Sequence, residues 1–317
     1  MENPVNTPCV DFGDVLRYYR TKAKLSQEQL AEGICTRVYI SQIEKNKQIP
    51  TLYMISAFSS KMGINLFDAY GLIIEHNDFD THNKIELLNE AIHDCDDRRG
   101  YELAKEYASL PGFSSGAPLQ SIKYAFALYY SYVLNDYDRA IAYASEGLAV
   151  SGIPDKDMTP TPMLSAMDLN LLLGKSVDLC RNGQLEEGRK YLEYMHECVR
   201  LRLTQNRYIA NRNLRFDINL FAKITFNICE FFPDDIENNM KILEKTINLL
   251  YDHRNSNMQG ELQLYEARYL YETGDMEAAH DCFCAGYYLL VRQKSRADAE
   301  AQAREILGER FDKLKEM

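Results

Sequence analysis

The chain has 317 residues, 46% of them hydrophobic and 26% charged, with a formal net charge of −11 at pH 7. That length allows two domains with their own cores, and no apolar run approaches the ~18 residues of a membrane helix, so no membrane span is expected. The N-terminus, Met-Glu-Asn-Pro-Val-Asn-Thr-Pro, lacks the basic start and apolar stretch of a signal peptide, which points to a cytoplasmic location.

A pair of short capped helices lies within residues 25 to 44. Ser26 opens the first of them, with Gln29 three residues on to complete a capping box, and Leu30, Ala31 and Ile34 form its apolar face. Gly33 loosens its end, and Thr36 caps a second helix running through Arg37 to about Lys45. In that helix Ile40 and Ile43 point inward, while Arg37, Tyr39 and Gln42 face solvent, where they can reach base edges or phosphates in a major groove. Tyr39 has a second option, packing on the neighbouring helix.

Charge divides unevenly along the chain. Residues 12–72 hold eight Lys or Arg and five Asp or Glu, a net of +3 that leaves −14 for the remainder. Phosphate neutralisation can therefore come only from the N-terminal part, with Lys45 and Lys47 just past the second helix of the pair. The acidic remainder would be repelled by DNA.

The segment resembles the Xre-type helix-turn-helix over roughly residues 12–72, and that resemblance implies a five-helix DNA-binding domain, with an opening helix over Phe12 to Lys22 and further helices near Thr51 to Met62 and Asn65 to Leu72. It also implies that Gln27 contacts phosphate, that Thr36 and Arg37 contact bases and backbone, and that Gln42 in the Ser-Gln-Ile-Glu string contacts bases. An internal ion pair between Arg20 and Glu44 is implied as well. The short Glu-Gly-Ile-Cys turn departs from the commonest Xre pattern. It is similar to the DNA-binding end of the peptide-pheromone regulators of Gram-positive bacteria, the PlcR, PrgX, Rgg and ComR group.

From about Thr81 the pattern is helical throughout, so the fold is expected to be all-α. Similar interruptions recur near Arg98, Asn135, Asn182, Phe232 and Thr273, at intervals of 37, 47, 50 and 41 residues, which suit helix-pair repeats. The turns at Asn135, Asn182 and Thr273 lead to a small residue, Ala140, Gly188 or Ala279, and in this they resemble the tetratricopeptide repeat, although the Trp of its consensus is absent. The expected organisation is a helix-turn-helix domain (1–72), a linker (73–80), about five tetratricopeptide-like pairs (81–295) stacked as a right-handed superhelix, and a C-terminal capping or dimerisation helix (296–317). First helices near Ala117–Leu134, Met163–Arg181, Leu214–Phe231 and Gln259–Thr273 would line its concave face.

Asn170, Arg215, Asn219, Lys223, Gln263 and Tyr265 lie on those helices among apolar neighbours and are the candidate peptide-binding residues. A carboxamide can donate to a peptide C=O and accept from its N–H. The resemblance adds that such receptors hold their peptide with asparagines on inner helices, and it favours Asn219, then Asn170. Eight cysteines stand mostly singly, Cys282 and Cys284 fall about 200° apart on a helix, and six histidines form no i, i+4 pair, so neither a metal nor another cofactor is implied. No catalytic constellation is legible, and the chain is not read as an enzyme. The sequence reads as a homodimeric transcription regulator that binds operator DNA with paired half-sites and is controlled by a short signalling peptide. A helix-turn-helix protein whose array is a protein scaffold is the alternative.

Overall fold

The computed structural model describes residues 11–67, 79–153, 158–205 and 214–317. These residues are helical with no strand among them. The chain divides into two compact units, residues 1–133 and 134–317.

In the first unit, α1 (Phe12–Lys22), α2 (Gln27–Ala31), α3 (Arg37–Ile43) and α4 (Leu52–Met62) enclose a small core of Val15, Leu16, Leu30, Ala31, Ile40, Ile43, Phe58 and Leu66. The caps read from the sequence are present. Ser26 accepts from the Gln29 amide while the Gln29 side chain accepts from the Ser26 N–H, and Thr36 and Thr51 cap α3 and α4. Gly13 lets α1 lie directly against the end of α3, where a Cβ would overlap the Ile43 carbonyl and the Asn46 side chain. The expected helix from Asn65 to Leu72 and the linker run into residues 68–78, outside the described residues.

The same unit continues with α5 (Phe79–His93), α6 (Asp97–Tyr107), a 3-10 turn at Pro111–Phe113 and α7 (Gly116–Leu128), which ends in a π-helical turn over Tyr129–Val133. Ile85, Leu88, Ala104, Tyr107, Phe113, Ile122 and Ala125 form its second core.

The second unit holds α8 (Tyr137–Val150), α9 (Ala166–Arg181), α10 (Leu185–Gln205), α11 (Leu214–Phe231), α12 (Ile236–Asp252), α13 (Gln259–Thr273) and α14 (Met276–Gln293). Within the second unit α9 and α10, α11 and α12, and α13 and α14 pack two by two. Asp96, Asp136 and Asp275 cap the second helix of their pairs. The small residues of the turns have a steric reason: a Cβ on Gly188 would overlap Cys180 Sγ and lie 3.0 Å from the Ser176 carbonyl oxygen. A second close crossing, not read from the sequence, brings Gly260 of α13 against Gly286 of α14.

The C-terminal segment is expected as one helix from Arg296 to Lys315. It forms two, α15 (Arg296–Leu307) and α16 (Arg310–Glu316), because Gly308 leaves helical geometry at φ 58°, ψ −134°. Both pack into the core of the unit through Ala299, Ala303, Leu307, Phe311 and Leu314. No helix among the described residues is long and apolar enough to cross a membrane.

Candidate functional site

The helix pair is braced from beneath by Glu44, 2% exposed at the end of α3. Its carboxylate accepts from Arg20 Nε at 2.5 Å, Arg20 Nη2 at 3.0 Å and Gln27 Nε2 at 2.8 Å, and its carbonyl accepts from Arg17. The Arg20–Glu44 pair implied by the resemblance is therefore present. Gln27, expected to reach outward to phosphate, spends one amide hydrogen on this carboxylate, so its second amide hydrogen and its carbonyl remain for outside partners.

Thr36 and Arg37 are exposed at the start of α3. The Thr36 hydroxyl accepts from the Tyr39 amide at 3.2 Å, which fixes the direction in which Arg37 leaves the helix. After α3 the chain turns through Asn46 at φ 55°, and the Lys45 and Lys47 amides both fold back onto the Gln42 carbonyl, at 3.3 and 2.9 Å. This turn gathers half-buried Gln42 with exposed Lys45 and Lys47 at one end of the helix. Tyr39 takes the packing alternative. It is half-buried against the small core, and its hydroxyl donates to the Ile49 carbonyl at 3.4 Å. Val38, which sequence reasoning passed over, is 66% exposed beside Arg37, and its position outside the Ile40/Ile43 inward register was the available signal.

Two side chains of α1 reach α5. Tyr19 Oη lies 3.2 Å from His82 Nε2, and Tyr18 Oη donates to Asn83 Oδ1 at 3.0 Å. Burial raises the pKa of Tyr19 and lowers that of His82.

In the second unit the first helices of successive pairs adjoin, α9 on α11 and α11 on α13. The helices expected to line the groove are thus neighbours. On α11, Arg215, Asn219 and Lys223 recur every four residues as one polar stripe, with Arg215 and Lys223 exposed and Asn219 half-buried. Asn170 is half-buried on α9. Asn219 Oδ1 accepts from Asn255 Nδ2 at 2.7 Å.

Gln263 and Tyr265 are placed otherwise. Gln263 is 5% exposed and donates to Tyr251 Oη at 2.9 Å, while Tyr265 is fully buried with its hydroxyl on Glu230. Neither presents surface to a ligand, since α13 is buried on every side from Gln259 to Tyr265. Residues missed from the sequence lie beside Arg215 and Asn219 instead: His253, Arg254, Asn255 and Gln293 share a cavity with them. The polar run His253-Arg254-Asn255-Ser256-Asn257 was the signal. Among the described residues, no three His, Cys, Asp or Glu side chains form a metal-holding group.

The fold and the exposed face of α3 define a helix-turn-helix protein carrying a tetratricopeptide-like array. The helix-turn-helix family model matches residues 16–68. Over nearly the whole chain the fold is that of PlcR of Bacillus thuringiensis, solved in complex with the peptide PapR7 and DNA, at 17% identity and a TM-score of 0.61, covering 94% of this chain and 99% of that one. A point mutant of PrgX is similar at 14% identity and a TM-score of 0.49, covering 96% and 95% of the two chains. The apo competence regulator ComR from Streptococcus vestibularis is similar at 14% identity and a TM-score of 0.45, covering 93% and 96%. No curated protein matches the sequence.

Proposed function

We propose that this chain is a cytoplasmic, sequence-specific transcription regulator, not an enzyme, whose DNA binding is set by a short linear peptide held on the inner helices of the array. The observation that carries the reading is one chain joining two features. Arg37 at the start of α3 and Gln42, Lys45 and Lys47 at its end belong to one capped helix pair, and behind them runs the architecture of PlcR, which has been solved with both a peptide and DNA.

In this reading Arg37 and Gln42 read base edges, with Thr36 positioning the helix and Lys45 and Lys47 neutralising phosphate. One such small unit buries too little to hold an operator alone at physiological salt, so two copies bind paired half-sites as a homodimer. Residues 1–72 act as the reader, 73–80 as the linker, 81–295 as the sensor, and 296–317 as the cap and dimer contact. Asn170, Arg215, Asn219 and Lys223 contact the peptide. A peptide shifts DNA binding only by binding two arrangements unequally, and the Tyr19–His82 and Tyr18–Asn83 hydrogen bonds are contacts through which α5 can bias the reader.

The test is selection of preferred sites from random duplex DNA by the full-length protein, followed by binding titrations with and without peptides encoded by small reading frames beside the gene. Two-fold related half-sites and a peptide-dependent change in affinity are expected. A protein with no sequence preference, or with preferred sites bound equally whatever peptide is added, overturns the reading.

A further inference from the structure

An open cavity of about 680 Å³ lies in the second unit, formed by the first turn of α11, the connection between α12 and α13, and the last residue of α14. Arg215, His253 and Arg254 line it, and no Asp or Glu does. This runs against its surroundings, because residues 134–317 hold 30 acidic and 23 basic residues, a net of −7. Among the described residues, neither Arg215 nor Arg254 pairs with a carboxylate.

Beside Gln293, whose Nε2 donates to the Ser256 carbonyl at 3.0 Å, a chain of amides leads to Asn219. The Asn257 backbone N–H donates to Asn255 Oδ1 at 3.0 Å, and Asn255 Nδ2 donates to Asn219 Oδ1 at 2.7 Å. With its carbonyl engaged, Asn219 has amide hydrogens left to give.

The backbone of Arg254 is set by its turn. It follows the end of α12 at φ 50°, in a turn closed by the Asn255 amide on the Leu250 carbonyl at 2.9 Å. The corresponding turns place Gly183 and Gly274 at this left-handed residue after α9 and α13, and Lys24 and Cys95 after α1 and α5. A side chain kept at a backbone cost, aimed by a fixed turn and left unpaired, is what an anion site requires.

We propose that this cavity binds a carboxylate of the signalling peptide through Arg215, Arg254 and the Asn219 amide, anchoring one end so that the remainder runs along the Arg215–Asn219–Lys223 stripe of α11. Planar guanidinium groups match a carboxylate with paired N–H donors. The carboxylate comes either from a free C-terminus or from an Asp or Glu side chain. The proposal rests on the peptide-sensing reading above and adds the chemistry of the recognised end.

The test uses immobilised full-length protein and random heptapeptides in four pools, as free acids or C-terminal amides, each with or without Asp and Glu in the random positions. Retained peptides are identified by mass spectrometry. Arg215→Ala and Arg254→Gly are the comparison proteins. The second removes the cation while relaxing the left-handed backbone, so it should melt no lower than the wild type, which separates loss of the site from loss of the fold. Retention of free acids lacking Asp and Glu, at least about tenfold above either variant, assigns the terminal carboxylate. Retention of amides only when they contain Asp or Glu, again lost in both variants, assigns a side-chain carboxylate. Equal retention by wild type and variants, or equal retention of pools without any carboxylate, overturns the cavity while sparing peptide sensing. Retention of no pool at all overturns peptide sensing itself and the cavity with it.

Discussion

Arg20 and Glu44 are joined by two charge-assisted hydrogen bonds across the helix-turn-helix domain, tying α1 to the residue that ends α3. Glu44 is almost wholly inaccessible, and its carboxylate also holds Gln27 at the start of α2, so one side chain sets the mutual placement of three helices. Replacing it with Ala leaves a guanidinium without its counterion in a half-buried site. Glu44→Ala is expected to cost roughly 3–5 kcal/mol, measured by urea unfolding of the N-terminal domain, whereas Arg20→Met combined with Glu44→Leu should recover much of that loss. A single-variant cost well under 1 kcal/mol would mean that solvent screens the pair.

Gly188 makes a prediction of opposite character, because it stands inside a helix where Ala is intrinsically better by about 1 kcal/mol. Its hydrogen is all that fits between α10 and α9, facing Cys180 Sγ and the Ser176 carbonyl. Gly188→Ala is therefore expected to destabilise the second unit by about 1–3 kcal/mol despite the propensity gain. Adding Cys180→Ala removes the sulfur it meets and should restore part of the loss, a coupling that a double-mutant cycle on denaturation midpoints reads directly.

Legibility in the sequence followed solvent exposure. The spans of α11 and α13 were readable almost to the residue, Leu214–Phe231 and Gln259–Thr273, and the contrast of wet and buried faces marks α3. The same contrast shows which way Arg37 and Ile40 face. It fails on the interior of α13, where Gln259, Glu261 and Gln263 are buried beside Leu262 and Leu264, so a polar letter there does not mark an open face and the Gln263 and Tyr265 readings had nothing to anchor them. Nor could Gln293 be linked to Arg215 before folding, since the cavity they share is assembled from segments far apart in the chain. The break at Gly308 was missed for a simpler reason: a glycine inside a helical pattern reads equally as tolerated or terminating.

The two cations near α3 should separate by how they act on DNA. Arg37 is fixed by the Thr36 cap at the start of the helix, where base edges are within reach, and Arg37→Ala should weaken binding to the preferred site by roughly 1–3 kcal/mol with little effect on random DNA. Lys47 sits past the helix end as an exposed charge, so Lys47→Ala should weaken binding to both kinds of DNA alike and lower the salt dependence by about one unit of slope. Fluorescence anisotropy across a salt series checks both, and identical behaviour of the two variants would remove the distinction between reading and neutralising.

His196 supplies a pH prediction. Its ring stacks on Phe221 at 4.5 Å, its Nε2 is buried with no hydrogen-bond partner, and burial pushes its pKa down to about 4. The unfolded chain takes up this proton near the ordinary value of about 6.5, so between pH 6.5 and 4 the unfolded state binds more protons and is favoured as pH falls. The contribution of His196 to stability is therefore complete above pH 6.5 and is lost progressively down to about pH 4, by at most about 3 kcal/mol at 1.36 kcal/mol per unit. His196→Phe keeps an aromatic ring against Phe221 and has no proton to bind. Carboxylates titrate in both proteins, so the readout is the difference between their urea midpoints: similar at pH 7 apart from a constant offset, then widening in favour of the variant at pH 6, 5 and 4.5. Parallel curves across that range would show that the imidazole is as well solvated in the folded chain as in the unfolded one.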